Sequence, residues 1–138
     1  MGRFSMKVVL AHGVFDLLHS GHISHLMQCR SFGDYLLVSV LADKVIAKGR
    51  KTVDDELDRM FKVSSLRCVD EVILCTETGP MQIIFNRQPY IYVRNDEYFT
   101  QDKPEYKICK ELGIKVGFTK TIAPHTTELI DRIVKTRL

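Results

Sequence analysis

The sequence predicts an α/β fold: a doubly wound, five-stranded parallel sheet with helices on both faces. Three observations predict it. Short β-rich runs alternate with helical patterns along all 138 residues. No linker, repeat or low-complexity segment interrupts the alternation. A turn rich in glycine and histidine follows the first apolar run, where such sheets place their ligands. Strand and helix alternating five times implies right-handed crossovers and hence parallel strands. The length suits one domain, 1–138, with a sizeable core.

The elements follow in order. The first strand is predicted at Lys7–Leu10, on Val8, Val9 and Leu10. Ile23, Leu26 and Met27 then recur at helical spacing. Gly33 closes that helix and Asp34 opens the second strand, Tyr35–Leu41. Leu57, Met60 and Phe61 mark the second helix, and Glu71–Leu74 the third strand. Ile84 and Phe85 belong to a third helix, followed by a strand at Tyr90–Val93. Ile108, Cys109 and Leu112 mark a fourth helix, followed by a strand at Lys115–Phe118. Leu129, Ile130, Ile133 and Val134 share one face of a last helix.

Composition narrows the function. Apolar content is 45% and charged content 27%, both ordinary for a globular protein. The net charge of +3 is spread among acids, which suits small anionic substrates and makes no nucleic-acid stripe. No apolar run approaches membrane-spanning length, and Met1 to Met6 lacks the core of a signal peptide. Cys29, Cys68, Cys75 and Cys109 show no C-x-x-C spacing and sit in or beside apolar runs, as reduced thiols of a cytoplasmic protein do.

Gly13-Val14-Phe15-Asp16-Leu17-Leu18-His19-Ser20-Gly21-His22 carries the chemistry. It lies on a strand-to-helix turn, where unpaired N–H groups and the helix dipole favour a phosphate. His19 and His22, three residues apart, share one side of the first turn, and Gly21 lets the backbone approach a ligand. The assembly reads as a polyphosphate cradle. A zinc site is the other reading of such a pair, but no third ligand is spaced nearby, so no direct protein ligand to a metal is assigned.

The pattern G-x-F-D-x-x-H-x-G-H resembles the cytidylyltransferase-like nucleotidyltransferases, and the resemblance covers nearly the whole chain. It implies a Rossmann-like fold and transfer of a nucleoside monophosphate from a triphosphate to a phosphorylated small molecule, with release of pyrophosphate. It implies Mg²⁺ with the triphosphate and phosphate contacts from Gly13, Val14, Phe15 and Gly21. Homodimers are common in the resembling families, and nothing in this chain's patterning shows one.

Further segments match position by position. Ser31-Phe32-Gly33-Asp34-Tyr35-Leu36-Leu37-Val38 is similar to the family's G-D-x-L-x-V. Asp43 to Lys51 looks like its mobile basic loop, with Lys48 as the phosphate-binding lysine. Lys51-Thr52-Val53 stands where Arg-x-Pro is frequent. Asp58-Arg59-Met60 matches the helical arginine of E-x-R; taken alone, Arg59 and Asp55 would be an i,i+4 surface pair.

Arg67-Cys68-Val69-Asp70-Glu71-Val72-Ile73 resembles the R-x-V-D-E-V-I of glycerol-3-phosphate cytidylyltransferases. There both arginines, Arg59 and Arg67, help build the active site, which implies a nucleotide or phosphate contact for Arg59; outside that resemblance, Asp70 has capping or strand-end duty as an equal reading.

The last two segments depart from the pattern. Pro89 to Tyr98 corresponds to P-D-x-x-V-x-G-x-D-[YW], with Tyr90 in place of an acid and Asn95 in place of a glycine of left-handed or ligand-facing backbone. Arg94, Asn95, Asp96 and Asp16 are assigned to the acceptor or base pocket. Lys120 to Thr127 stands where R-T-E-G-I-S-T-T is usual, so Lys120, Thr126 and Thr127 are assigned to phosphate and His125 replaces a hydroxyl.

The reaction implied is an in-line attack by an acceptor phosphate oxygen on the α-phosphorus. His19 and His22 would donate hydrogen bonds as charge builds, with Lys48 closing over pyrophosphate and Arg67 completing the catalytic set. The R-x-V-D-E-V-I match and the short chain favour CMP transfer from CTP to glycerol 3-phosphate or a related alcohol or sugar phosphate. The alternatives are AMP transfer from ATP, as in ADP-heptose synthesis or archaeal FAD synthesis, and a non-catalytic nucleotide-binding module. Only the departures at Asn95, His125 and Lys120 support the last.

Overall fold

The computed structural model describes residues 5–47 and 49–122. Lys48, and the predicted last helix with His125, Thr126 and Thr127, lie outside them. The strands are β1 (Val8–Gly13), β2 (Tyr35–Leu41), β3 (Glu71–Cys75), β4 (Ile91–Asn95) and β5 (Lys115–Thr119). The helices between them are α1 (Ser20–Arg30), α2 (Glu56–Ser64), α3 (Met81–Arg87) and α4 (Pro104–Leu112).

All pairings are parallel, in the order β3-β2-β1-β4-β5. The chain winds outward from β1 to β3, then returns to place β4 on the other side of β1. The strand order therefore reverses between β1 and β4, and a crevice opens there beyond the carboxyl ends. The predicted architecture is the one observed, with β1 and β4 running two or three residues further toward that crevice than Leu10 and Val93.

Alternation along the strands builds two cores. Val9, Ala11, Leu36, Val38 and Val40 face Leu26 and Cys29 of α1 and Val63 of α2. Leu10, Leu37 and Tyr92 face Ile84 of α3 and Cys109 of α4. Burial on both faces explains why the strands read as continuous apolar runs.

Two helix faces differ from the sequence expectation. Met27 is exposed and Cys29 is buried in its place. On α2, Leu57 and Phe61 face solvent, while Arg59 is wholly buried beside Val63. The apolar period there marks an outer stripe, because the buried position goes to an arginine whose hydrogen bonds organise the crevice.

The joint after α1 shows why a glycine stands at 33. A Cβ there would collide with the carbonyl of Lys7. Asp34 precedes the strand and accepts from the N–H of Lys7 at 3.0 Å. Among the described residues no helix is long and apolar enough to cross a membrane.

Candidate active site

The crevice is a cleft of about 890 Å³. The turn after β1 forms its centre. Thr78, Gly79, Pro80 and Met81 form one flank, and Arg94, Asn95, Tyr98, Glu105 and Lys120 the other. The turn is strained: Phe15 and Leu17 hold φ of 56° and 46°, a left-handed backbone that bulky residues avoid at a cost of about 1–3 kcal/mol each. Phe15 is buried and packs edge-on to the ring of His22, with centroids 5.7 Å apart. Its ring also fills the space a Cβ on Gly13 would need.

His19 is the N-cap of α1. Its Nδ1 accepts from the N–H of Gly21 at 3.0 Å, and the Nδ1 of His22 accepts from the N–H of His19 at 3.2 Å. The two imidazoles thus build a capping box and stack with centroids 3.8 Å apart. Both Nδ1 atoms are acceptors, so each neutral ring carries its proton on Nε2. Burial and then the neighbouring His19 lower the pKa of His22, against the pull of Asp16, which favours its neutral form. The turn offers two Nε2–H donors at a helix N-terminus. Such a set receives phosphate oxygens and the negative charge that develops on them.

Two further histidines were not singled out by the sequence. His12, the last residue but one of β1, pairs in register with Ser39, and its Nδ1 lies 2.7 Å from the Ser39 hydroxyl. Burial, then Arg94, pushes its pKa down to about 3. His25, one turn after His22, lies 2.6 Å from the Thr119 hydroxyl, and burial, then Arg94 and His22, pushes it down to about 4. A polar residue in an apolar strand was the available signal for His12 and Ser39. Nothing in the α1 pattern separates His25 from a surface residue.

The predicted site residues divide by position. Gly13, Val14, Phe15, Asp16, His19, Gly21, His22, Arg94, Asn95 and Lys120 line the cleft. Asp16 is already engaged: its oxygens accept from the N–H of Val53 at 3.0 Å and of Asp54 at 2.9 Å, which holds its carboxyl below the usual range. It positions the loop ahead of α2.

Arg59 is a correction. It is neither a surface partner of Asp55 nor a free phosphate ligand. Its Nε donates to the carbonyl of Asp54, its Nη1 to those of Val14 and Leu41, and its Nη2 to Asp43. With all three nitrogens occupied, it straps the central turn to the end of β2 and to the loop ahead of α2.

Arg67 is exposed in the turn leading into β3 and does not line the cleft. It lies at the amino ends of the strands, because α2 has returned the chain to start a parallel strand. Asp70 beside it accepts from the N–H of Leu36 at 2.7 Å and pairs with Arg30 at 3.2 Å. The R-x-V-D-E-V-I segment therefore joins strands at the end of the sheet away from the cleft.

Asn95 lines the cleft, and of the two readings of the family's glycine the left-handed one does not apply. Its φ is −74°, ordinary extended backbone. It caps a short turn, accepting from the N–H of Glu97 at 3.1 Å and from the Thr121 hydroxyl at 2.8 Å. Asp96 does not line the cleft and holds Thr121 through its N–H and hydroxyl. Lys120 is placed by Gln28, whose side-chain amide accepts from its N–H and donates to its carbonyl. Tyr98 lies under the Arg94 guanidinium at 4.1 Å and the Lys103 ammonium at 5.2 Å.

Among the described residues, no group of three His, Cys, Asp or Glu side chains could hold a metal ion.

A family model described as cytidylyltransferase-like matches residues 10–130. The chain belongs to the cytidylyltransferase-like family. It is 38% identical over 108 residues to the FAD synthase of Picrophilus torridus, a match covering 77% of each protein. It is 31% identical over 136 residues to the bifunctional protein HldE of Helicobacter pylori, covering 94% of this chain and 28% of HldE. The chain thus spans little more than a quarter of that relative.

Among solved structures, the lipopolysaccharide core biosynthesis protein of Thermoplasma volcanium superposes with a TM-score of 0.70 at 31% identity, over 87% of this chain and 99% of that one. Pantothenate synthetase of Thermus thermophilus shares the fold, with a TM-score of 0.62 at 14% identity over 86% of this chain and 57% of that one. This cytidylyltransferase-like chain is therefore a nucleotidyltransferase of α/β fold.

Proposed function

We propose that the chain transfers AMP from ATP to a phosphomonoester, with FMN as the leading acceptor, and releases pyrophosphate. The observation that carries the transfer chemistry is the pair of Nε2–H donors that His19 and His22 hold beside the N-terminus of α1. The choice of ATP and FMN is supported by the FAD synthase relative, which matches across 77% of both proteins. FAD is FMN joined to an adenylyl group, so making it from FMN requires this transfer.

An oxygen of the acceptor phosphate attacks the α-phosphorus in line. The bond from the α-phosphorus to the bridging oxygen breaks, and pyrophosphate leaves with the bonding electrons. The acceptor oxygen is already anionic near neutral pH, so no general base is required. Catalysis rests on positioning and charge neutralisation. His19 and His22 donate to the phosphate oxygens that gain charge, while Arg59 and Asp16 fix the backbone around them. Mg²⁺, carried by the triphosphate, adds charge neutralisation.

CMP transfer to glycerol 3-phosphate is the second reading, favoured by the R-x-V-D-E-V-I segment. That segment lies away from the cleft, which weakens it as a guide to the nucleotide. The test is pyrophosphate release with ATP and CTP, each against FMN, glycerol 3-phosphate and a heptose 1-phosphate. ATP with FMN is expected to lead. CTP outpacing ATP with every acceptor would restore the second reading.

A further inference from the structure

The cleft floor holds donors that the triphosphate cradle does not use. Ser39 is wholly buried on β2, and the one acceptor its hydroxyl meets among the described residues is His12 Nδ1, at 2.7 Å. A buried hydroxyl proton needs an acceptor, so Ser39 donates and His12 keeps its own proton on Nε2. His12 lines the cleft, so that N–H is available to a ligand. Its pKa of about 3 keeps the ring neutral, a fixed donor through the physiological range.

Arg94 stands next to it on β4. Its Nη1 donates to the carbonyl of His12 at 3.3 Å, and its buried Nε has no partner among the described residues. It forms no ion pair within 4 Å among them either. A largely buried guanidinium with an unmet N–H beside a neutral imidazole donor is suited to an anion.

We propose that His12 and Arg94 together bind the acceptor's phosphate, and that Ser39 is the positioning residue that fixes the donor face of His12. This rests on the transfer reading above. That reaction brings two phosphates together, and the cleft holds two donor sets. The set on the N-terminus of α1 faces one anion. The set at the ends of β1 and β4, where the strand order reverses, remains for the other.

The test needs no turnover. Long-range ¹H–¹⁵N spectra of the histidine rings report which nitrogen carries the proton. His12 is expected as the Nε2–H form from pH 5 to 8 in the parent and as a tautomer mixture in Ser39→Ala. Titration with glycerol 3-phosphate, and separately with FMN, should shift the His12 Nε2 resonance in the parent. The shift should shrink in Arg94→Gln.

Kinetics form the second arm. His12→Phe keeps a ring and removes the donor, and losing one hydrogen bond to a charged group should raise the acceptor KM by about tenfold or more. The KM for ATP should stay unchanged, and Ser39→Ala should give a smaller split of the same sign. A parent His12 in the Nδ1–H form would overturn the proposal, as would no His12 shift with either phosphomonoester. So would equal rises in both KM values. A His12 shift with glycerol 3-phosphate but no turnover of FMN would support the phosphate site and overturn the flavin reading.

Discussion

Arg59→Met is the most informative perturbation of the scaffold. Methionine keeps the buried stem and its packing and removes the guanidinium. Three backbone carbonyls, at Val14, Leu41 and Asp54, then lose their donor, and each such loss costs about 1 kcal/mol. The ion pair with Asp43 adds only about 0.5 kcal/mol, because the Asp43 side chain is 42% exposed and water screens it. The expected destabilisation is about 3–4 kcal/mol, a large part of the usual stability of a single domain. For a chain of 138 residues this corresponds to a fall in Tm of about 10–15 °C. The chain has no tryptophan, so urea unfolding should be followed by far-UV circular dichroism. Arg59→Lys, which keeps a charge but loses the fork, should fall between. A loss below about 1 kcal/mol for Arg59→Met would refute the strap, since it would mean that water replaces every bond the guanidinium makes.

His19→Ala or His22→Ala should lower kcat by roughly 10²–10³ with the fold retained, and near-normal kcat in both would refute their role. Gly21→Ala should act on the same donors from the backbone side. The added Cβ would stand 2.8 Å from the His19 ring, so the ring must swing and its cap bond break, and unchanged turnover would contradict the geometry. Acid stability should report His12 and His25, whose folded pKa values of about 3 and about 4 lie below the ordinary 6.5. The unfolded chain binds their protons first, so their stabilisation is complete above pH 6.5 and is lost as pH falls from there toward 4, at up to about 1.4 kcal/mol per pH unit for each ring. Urea midpoints at pH 7, 6, 5 and 4 test this, and a profile as steep in the His12→Asn/His25→Asn double variant would contradict it.

The sheet was legible because its physics is local. Strands buried on both faces must be continuously apolar, so β2 is readable at Tyr35–Leu41 to the residue. The histidine turn was legible for the same kind of reason: a cap, a glycine and two imidazoles within ten residues fix one helix turn. What failed depended on distant partners. Arg59 is buried because it meets carbonyls from three other segments, so its helix shows an apolar period on the wrong side. Asn95 keeps extended backbone because Glu97 and Thr121 satisfy its side chain. Arg67 reads as catalytic by motif, yet the crossover through α2 returns it to the far end of the sheet. His12 and Ser39 are 27 residues apart, and only the register of β1 against β2 brings them together.

The proposed reaction is attack of an acceptor phosphate oxygen on the α-phosphorus of a nucleoside triphosphate at the N-terminus of α1. Its most direct measurement is pyrophosphate release by the purified chain with ATP, Mg²⁺ and FMN, with FAD quantified alongside and the His19→Ala/His22→Ala double variant as control. Pyrophosphate and FAD should form in equal amounts with the parent and fall at least 10²-fold in the double variant, about the effect of losing one such donor. Equal turnover by parent and double variant, or no pyrophosphate from any of the four nucleoside triphosphates with any phosphomonoester, would contradict the account.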